Sequence, residues 1–510
     1  MLQRALFVGI VYFCSHALPL PGKQPDSPMQ IGDRACLFLD DHFLAEQSGF
    51  KRTWHQGQPQ HEVAIKDIGA PWERWPHMFG STVHDPQAKL YRMYYESAIY
   101  PSRTPPNSFT TYICYAESQD GKTWKRPSLG LFADLGSKDN NIVIHCAEFA
   151  KVFVDPLETD PAARLKMFVY LNGKPPLMGG SGECLLASGD GLHWKFVGGF
   201  NMPPYAKAEQ RNYTDTFTFS FDPIQQRYLA GIRTFDKSHL SESKDGRRRA
   251  IGVSHSARVN KEWSPIVQVL APDAQDDAKV APLSRDEQKP DWAEHYCMSL
   301  FVYGNHYLGM LSLLYLVDGY DGNGGGDIQL TFSHDYARWH RHPQRQTLIA
   351  PSNAAPALFP TYVSINGPVE IGDELWLYYT EANGAHPIAP ITKAVSQIRA
   401  AVWRRDGFVS LDATDTASFV TKPLAWDGKQ LRVNVKCQDK GSLRAALLNT
   451  DGKPYPGFDL ADCEPLTGDQ AQGLVHWKGK ADVSDLQGKA IRLKLELSHG
   501  SVYSFRASSN

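Results

Sequence analysis

A repeated pair of β-hairpin patterns constrains the fold of this 510-residue chain more than any other feature of its sequence. The first copy, residues 83–124, reads VHDPQAKLYRMYYES and, after an intervening loop, TYICYAESQDGKTW. An Asp-Pro turn divides its first half, and a Ser-Gln-Asp-Gly turn ends its second half just before Trp124. Because turn residues between apolar runs of period two are typical of antiparallel hairpins, each copy predicts a small antiparallel sheet.

This unit occurs five times. The later copies begin at Val152, Phe219, Leu300 and Val369 and end at Trp194, Trp263, Trp339 and Phe408. The Asp-Pro turns lie 70 and 67 residues apart, and the turn of the fifth copy follows 151 residues later, across two units. Four-stranded repeats of this length are typical of propeller blades. The sequence therefore predicts an all-β fold with a five-bladed β-propeller over residues 34–412, and a β-sandwich with chance turns is the alternative.

The composition changes after Phe408, where the Asp-Pro and Trp repeat ends. Alternating segments such as LRVNVKC and IRLKLELSHGSVYSFRA follow, joined by turns such as Asp451-Gly452. This pattern predicts a separate C-terminal β-sandwich over residues 421–507. The segment CLFLDDHFLAEQSGF, from Cys36, precedes the first blade, and we expect it to close the propeller or to pack on its base.

Residues 1–22 have the pattern of a secretory signal peptide. Arg4 precedes an apolar run that ends at Phe13, and small residues and prolines follow. The run is too short to span a membrane, so we expect a secreted or periplasmic protein without membrane insertion. A buried N-terminal helix is the alternative interpretation.

Charge and cysteine content exclude several classes of partner. The net charge of −2 creates no field that would attract nucleic acid or an anionic membrane. The seven cysteines after residue 22 are scattered and odd in number, without C-x-x-C spacing. We therefore expect neither a zinc site nor a disulfide framework, and no metal or other cofactor. The sequence does not indicate an oligomeric state.

The aspartates of the repeat are predicted to be structural. Three blades do not each need a catalytic acid at one turn, and an Asp at such a turn bonds to its own backbone. The same reasoning covers the acidic residue of the Ser-x-Asp motif. The aspartates concerned are Asp85, Asp155 and Asp222 at the Asp-Pro turns, and Asp120, Asp190 and Asp335 in the Ser-x-Asp motifs.

Candidate functional residues follow from counting seven positions back from each turn, to the end of the innermost strand that faces the propeller axis. The second and third blades have Glu148 and Asp215 there, the fourth has Tyr296, and the first has Met78 beside His77. Two carboxylates at a cleft are what glycosyl transfer needs, so Glu148 and Asp215 are the predicted catalytic pair, with Glu73 as an alternate. The predicted substrate-binding residues are His77, Trp72, Arg233, Tyr296, Glu294 and His386.

The five Asp-Pro and Ser-x-Asp-Gly-Trp units resemble the five-bladed propeller superfamily of glycoside hydrolases, which includes families 32, 43, 68 and 130. The layout is most similar to family 32, in which a C-terminal β-sandwich follows the propeller. The strings DGFVSLDA, VTKPL and LLNTDGKPYPGF look like those of secreted bacterial proteins of this type. The resemblance covers about residues 34–505 and implies hydrolysis of glycosidic bonds.

The resemblance does not extend to the catalytic motifs of invertase-like enzymes. Those enzymes carry an Asp in W-M-N-D-P-N on the first blade, an Asp in R-D-P on the second and a Glu in E-C on the third. None of these strings occurs at the matching position here, where His77-Met78 occupies the first, Glu148 lies near the second and Asp215 near the third. Neither the invertase reaction nor a fructoside substrate is therefore implied.

Three functions are consistent with this sequence. The first is a secreted glycoside hydrolase that cleaves a poly- or oligosaccharide in the axial pocket of the propeller. The second is a non-catalytic carbohydrate-binding propeller, which the missing first-blade Asp supports. The third is a sialidase-like hydrolase, because S-x-D-G-x-x-W resembles the Asp-box, although sialidases have six blades and an arginine triad.

Overall fold

The computed structural model describes residues 27–99, 110–133, 136–171, 182–206, 217–236, 248–284, 286, 288–318, 322–351, 359–383 and 395–509. Their strands form five blades and one larger, nine-stranded sheet, which confirms the predicted all-β, five-bladed propeller. Within these ranges, no helix is both long and apolar enough to cross a membrane.

Five strands precede the first blade. They are β1 (Met29–Gln30), β2 (Cys36–Leu37), β3 (Leu44–Ser48), β4 (Lys51–Trp54) and β5 (Gln58–Lys66). Blades 1 to 3 follow, each with its strands in order from the axis outward. They consist of β6 (Pro76–Asp85), β7 (Leu90–Ile99), β8 (Thr110–Ser118) and β9 (Ile142–His145); β10 (Ala147–Val154), β11 (Leu165–Leu171), β12 (Gly182–Ser188) and β13 (Lys195–Gly199); and β14 (Phe217–Asp222), β15 (Arg227–Asp236), β16 (Arg248–Ser256) and β17 (Val267–Leu270).

Blades 4 and 5 complete the propeller. Their strands are β18 (Trp292–Tyr303), β19 (His306–Val317), β20 (Gly322–Ser333) and β21 (His340–Arg341); and β22 (Phe359–Val363), β23 (Val369–Ile371), β24 (Glu374–Ala382) and β25 (Ser396–Arg404). A short helix, α1 (Ala274–Val280), connects blades 3 and 4, and 3₁₀ turns occur at Pro161–Ala163, Ala281–Leu283 and Ser484–Leu486.

The ring closes through a strand from the N-terminal side of the chain. β5 pairs antiparallel with β25 and forms the outer strand of blade 5, with Ile65 opposite Ile398. Five sheets therefore close the ring, whereas a sialidase has six blades. The segment from Cys36 does not close the ring, contrary to one of the two expectations, because β2 and β3 pair with C-terminal strands.

The second unit combines both ends of the chain around one apolar core. It contains β26 (Val409–Thr421), β27 (Leu424–Trp426), β28 (Gln430–Leu448), β29 (Asp469–Leu474) and β30 (Lys489–Ser508), together with β1 to β4. Phe38 and Phe43 from the N-terminal segment pack in its core with Leu495 of β30. The unit therefore starts at residue 409 and includes residues 29–54, whereas the sequence predicted a sandwich over 421–507 and a propeller from residue 34.

The Asp-Pro turns connect neighbouring blades as well as shaping the turns. Asp85 is fully buried and accepts the backbone N–H of Ala88, as expected for a turn residue. It also binds Arg164 of blade 2 through both carboxylate oxygens, at 2.7 Å each. Asp155 is bound by the next blade too, since Tyr228 of blade 3 donates its hydroxyl to one oxygen of Asp155 at 2.8 Å. The repeated Asp thus ties each of these blades to the next one.

The glycine of the Ser-x-Asp-Gly turn is explained by a second contact between blades. Gly191 of blade 2 has φ 77°, a conformation that glycine adopts without strain. The hydroxyl of Tyr94 in blade 1 donates to its carbonyl oxygen at 2.9 Å, and a Cβ at this position would lie 2.7 Å from that hydroxyl. Tyr378 of blade 5 makes the equivalent contact with Gly121 of blade 1.

Candidate active site at the propeller axis

Four inner strands lose their regular pairing at about the same level of the propeller. The breaks lie between His77 and Ser81 in β6, Glu148 and Lys151 in β10, His295 and Cys297 in β18, and Pro360 and Val363 in β22. Bulges of this kind bend a strand and redirect its side chains, and they are frequent beside active sites. The same level contains His77, Glu148 and Tyr296, which the repeat count selected.

Four aromatic rings from four different blades meet at this level, and we call them the axial aromatic cluster: Phe79, Phe149, Tyr296 and Tyr362. The ring centre of Phe79 lies 3.7 Å from that of Tyr362 and 4.5 Å from that of Phe149. The ring of Tyr296 lies 5.4 Å from that of Tyr362. Burial raises the pKa of Tyr362 well above its ordinary value, so its hydroxyl is neutral. The cluster therefore places aromatic rings and phenol hydroxyls at the axis.

His77 forms an ion pair beside this cluster. Its Nε2 lies 3.2 Å from Oε1 of Glu96, and its ring centre is 5.2 Å from that of Phe79. Burial alone would lower the pKa of His77, but the charge and hydrogen bond of Glu96 raise it above the ordinary value. The charge of Glu148 acts in the same direction.

The backbone beside His77 and Glu148 is strained. Trp75, Cys146 and Phe149 have φ values of 53°, 51° and 59°, in the left-handed region that bulky residues rarely adopt. Such conformations persist where surrounding contacts enforce them, and they are concentrated at functional sites. The N–H of Phe149 donates to Oε2 of Glu96 at 3.1 Å, which is one such contact.

Charged side chains from blades 2 to 4 surround the same end of the axis. The ammonium of buried Lys151 lies 3.1 Å from Glu183 and 4.0 Å from the ring centre of Phe217. The guanidinium of Arg233 lies 4.8 Å from the ring centre of Tyr296, whose backbone oxygen it also binds.

Glu294 accepts hydrogen bonds at the blade 3 to blade 4 boundary. Arg249 forms an ion pair with Glu294 and lies 5.7 Å from the ring centre of Tyr296. Trp292 donates its indole N–H to the other carboxylate oxygen of Glu294 at 3.2 Å. The structure therefore brings together five residues predicted from the sequence at this end of the axis: His77, Glu148, Arg233, Glu294 and Tyr296.

Two predicted site residues, Asp215 and His386, lie outside the described residues. Phe217, two positions after Asp215, is the first residue of β14, and its ring contacts Lys151 of the strand that carries Glu148. The pairing of Glu148 with Asp215 therefore stays a prediction.

Glu73 and Trp72 lie on a different face of blade 1. Glu73 is buried, and its carboxylate accepts hydrogen bonds from the hydroxyl of Tyr95 and, at 2.8 Å, from Arg126. Tyr95 and Glu96 are consecutive on β7 and point to opposite faces, so Glu73 lies on the opposite face from the Glu96–His77 pair. Trp72 donates its indole N–H to Asn141 at 3.0 Å. These contacts give Glu73 and Trp72 structural partners within blade 1.

Sequence reasoning missed several residues at the axis, above all Glu96, Lys151 and Glu183. Glu96 is the fourth residue of the string MYYES on the second strand, whereas the repeat count followed only the first strand of each blade. The similar string LYYTEA in the fifth unit is not a usable signal for Glu96. Tyr378 makes the contact equivalent to that of Tyr94, so Thr380 and not Glu381 corresponds to Glu96. The spacing of the sequence repeat does not predict the bulges in the inner strands. Among the described residues, no group of three or more His, Cys, Asp or Glu side chains could hold a metal ion.

Comparisons with known proteins give similarity in architecture only. No protein-family model matches the sequence, and no curated protein matches it. A glycosyl hydrolase from Bacteroides ovatus is 12% identical, with 69% of this chain and 94% of that chain covered and a TM-score of 0.41. The β-1,2-mannobiose phosphorylase from Listeria innocua is 11% identical, covering 68% and 96%, with a TM-score of 0.41. The α-L-arabinofuranosidase from Podospora anserina is 9% identical, covering 68% and 97%, with a TM-score of 0.39. Values this low carry no argument about activity, so function is inferred from the site.

Proposed function

We propose that this chain is a glycoside hydrolase that cleaves a poly- or oligosaccharide at the axial aromatic cluster. The observation that supports this most is the convergence of bulged inner strands, which puts Glu148 and a His77–Glu96 pair beside four aromatic rings. Aromatic faces stack on sugar rings, and carboxyl groups supply the acid and base of glycosyl transfer. Both kinds of group are required, and this end of the axis contains both.

In this proposal, Glu148 is one catalytic carboxyl group and Asp215 is the other. Both occupy the same repeat position in adjacent blades, seven residues before the turn. Tyr296, Arg233 and His386 bind substrate hydroxyls or a charged substituent of the sugar. The separation of the two carboxyl groups would decide between retention and inversion of configuration.

We also propose that the protein acts outside the cytoplasm. The support is the charged, apolar and small-residue pattern of residues 1–22, which is typical of a cleaved signal peptide. Expression in a bacterial host with fractionation tests this, and N-terminal sequencing of the exported protein should start near residue 23. Retention of the full chain in the cytoplasm would contradict export.

The catalytic proposal is tested with a panel of aryl glycosides, polysaccharides and oligosaccharides, with released sugar measured. Once a substrate is found, Glu148→Gln and Asp215→Asn should each reduce turnover by at least about 10²-fold, the scale typical of acid–base groups. Asp155→Asn is the control, because Asp155 binds Tyr228 of the next blade and lies at a turn. This control should lower stability and keep most of the activity of the folded protein. Near wild-type turnover in both axial variants would overturn the assignment.

A non-catalytic carbohydrate-binding propeller is the second candidate. The observation in its favour is that the first-blade position, where invertase-like enzymes have an Asp, is occupied by His77, whose ring is bound to Glu96. This function predicts sugar binding by calorimetry without released sugar over the whole panel. Turnover that is lost in Glu148→Gln would exclude it.

A further inference from the structure

One carboxylate, that of Glu96, connects the two inner strands that carry His77 and Glu148. Its Oε1 lies 3.2 Å from Nε2 of His77 in β6, and its Oε2 accepts the N–H of Phe149 in β10 at 3.1 Å. Glu96 itself is on β7 and is 4% exposed. We propose that Glu96 is a positioning residue that keeps His77 as an imidazolium and thereby fixes Glu148 at the axis. This inference deepens the proposed function and rests on it for the role of Glu148.

The geometry around His77 favours the charged form of the ring. Nδ1 lies 2.9 Å from the backbone oxygen of Trp75, and Nε2 faces the carboxylate of Glu96. Both partners are acceptors, and a neutral imidazole has only one N–H to donate. The imidazolium donates from both nitrogens and satisfies both contacts.

Every element packed around His77 contributes to this environment. Among the described residues, the charged groups that act most on it are Glu96 from β7 and Glu148 from β10. The rings of Trp75, Phe79 and Tyr362 also lie close to it, with centres 5.0, 5.2 and 6.4 Å from that of His77. The positive charge of an imidazolium attracts the carboxylates of Glu96 and Glu148.

The second contact of Glu96 acts on the backbone of β10. Phe149 has φ 59°, which an aromatic residue adopts only where other contacts enforce it. The hydrogen bond from its N–H to Glu96 is such a contact, and the peptide concerned joins Phe149 to Glu148. Glu96 therefore constrains Glu148 through the backbone as well as through the charge of His77.

Glu381 offers a matched control in blade 5. It lies opposite Pro360 of the inner strand, as Glu96 lies opposite His77, and it is also buried. Its carboxylate pairs with Arg399 at 2.7 Å and accepts from Gln397 at 2.7 Å. Glu381→Gln thus removes a buried carboxylate from the second strand of another blade without changing the contacts of His77 or Phe149.

The test compares Glu96→Gln with Glu381→Gln in the full chain, with two measurements. The first is the ¹⁵N NMR signal of the His77 ring as a function of pH. In the wild type and in Glu381→Gln, both ring nitrogens of His77 should stay protonated as the pH rises past about 6.5, the ordinary pKa of histidine. In Glu96→Gln, the ring of His77 should be neutral at pH 7. The second is the pH profile of kcat/KM on the substrate found in the panel.

Glu96→Gln should lose about 10²-fold in kcat/KM, the size typical of a catalytic group displaced by about 1 Å, and should move the acidic limb of the profile to higher pH. In Glu381→Gln, the acidic limb of the kcat/KM profile should stay at the wild-type pH. If the panel gives binding without turnover, the catalytic proposal fails, and a larger loss of sugar affinity in Glu96→Gln than in Glu381→Gln still supports positioning. A wild-type His77 that is neutral at pH 7, or equal behaviour of the two variants, would overturn the inference.

Discussion

Individual acidic residues near blade 1 differ in ways that only their partners reveal. Glu73 and Glu148 were both candidates in the sequence, and both lie close to an inner strand. The structure separates them, because Glu73 is held by Tyr95 and Arg126, whereas Glu148 interacts with His77. Arg126 lies 53 residues from Glu73, and no local pattern connects the two. The repeat count found positions along the strands, but it could not find such pairings between distant segments.

A substitution of Glu73 should therefore affect stability more than activity. Burial raises the pKa of Glu73, although Tyr95 and Arg126 oppose this. The amide of Glu73→Gln is neutral and has only one acceptor oxygen, so it cannot accept from both Tyr95 and Arg126. We expect a loss of about 1–3 kcal/mol in the free energy of unfolding, typical of a buried polar group left without its partner. Urea unfolding and turnover are measured on the same protein. Glu148→Gln is the comparison, because it should lose turnover and not stability. A Glu73→Gln protein of normal stability without activity would show that Glu73 is catalytic.

At the scale of strands and turns, sequence patterns formed by adjacent residues predicted the structure correctly. The Asp-Pro and Ser-x-Asp-Gly turns and the alternating strands are encoded by adjacent residues, and they predicted five blades. Three features could not be read in this way: the bulges at the axis, the closure by β5 and the transfer of β1 to β4 to the second unit. Each depends on packing between segments that are distant in the chain; β5 pairs with a strand that lies more than 300 residues later.

The turn aspartates lead to a prediction about acid stability. Burial alone would raise the pKa of Asp85, but Arg164, Ala88 and Arg92 lower it to about 2. A carboxyl group with a lowered pKa stabilises the folded state above its ordinary pKa near 3.8, and this contribution is lost as the pH falls from about 4 to about 2. Asp85→Asn should remove that part of the pH dependence. It should also destabilise the protein by about 3–5 kcal/mol at neutral pH, since it leaves the buried guanidinium of Arg92 without its carboxylate partner.

Urea unfolding between pH 2 and 7 measures both effects. Asp120→Asn is the comparison, because Asp120 is exposed and binds only within its own turn among the described residues. This variant should have a much smaller effect on stability at neutral pH. An Asp85→Asn protein that keeps the wild-type slope between pH 4 and 2 would refute the role of Asp85 as a tie between blades.

For the whole molecule, the contact between the second unit and blade 4 contains three histidines. His42, on the segment between β2 and β3, stacks on His334 of blade 4 with ring centres 3.7 Å apart. His306, the first residue of β19, is fully buried and accepts the backbone N–H of Leu37 at 3.0 Å. A ring nitrogen that accepts a hydrogen bond carries no proton, so this contact requires a neutral His306. The contact between the two units thus includes a histidine, His306, that must stay neutral.

We therefore expect acid to weaken the contact between the two units. Burial and the charge of His334 lower the pKa of His42 to about 4, and burial lowers that of His306 well below its ordinary value. A histidine whose pKa is lowered in the folded state binds its proton mainly when the contact is broken. Stability should thus be greatest above about pH 6.5 and fall as the pH drops from about 6.5 to about 4. Burial alone would raise the pKa of Asp40, but its bond to His334 keeps it at about 2, below this window.

Urea unfolding from pH 7.5 to 4.5 measures this dependence, and small-angle scattering over the same range detects separation of the units. The double variant His42→Phe and His306→Asn removes both titrating rings, while Phe preserves the stacking on His334 and Asn retains an acceptor for Leu37. Its stability should vary much less over this range than that of the wild type. His193→Asn, at an exposed turn of blade 2, is the control and should keep the wild-type dependence. Equal pH dependence in the double variant and the wild type would show that other groups control the acid response, because no titrating ring would then remain at positions 42 and 306.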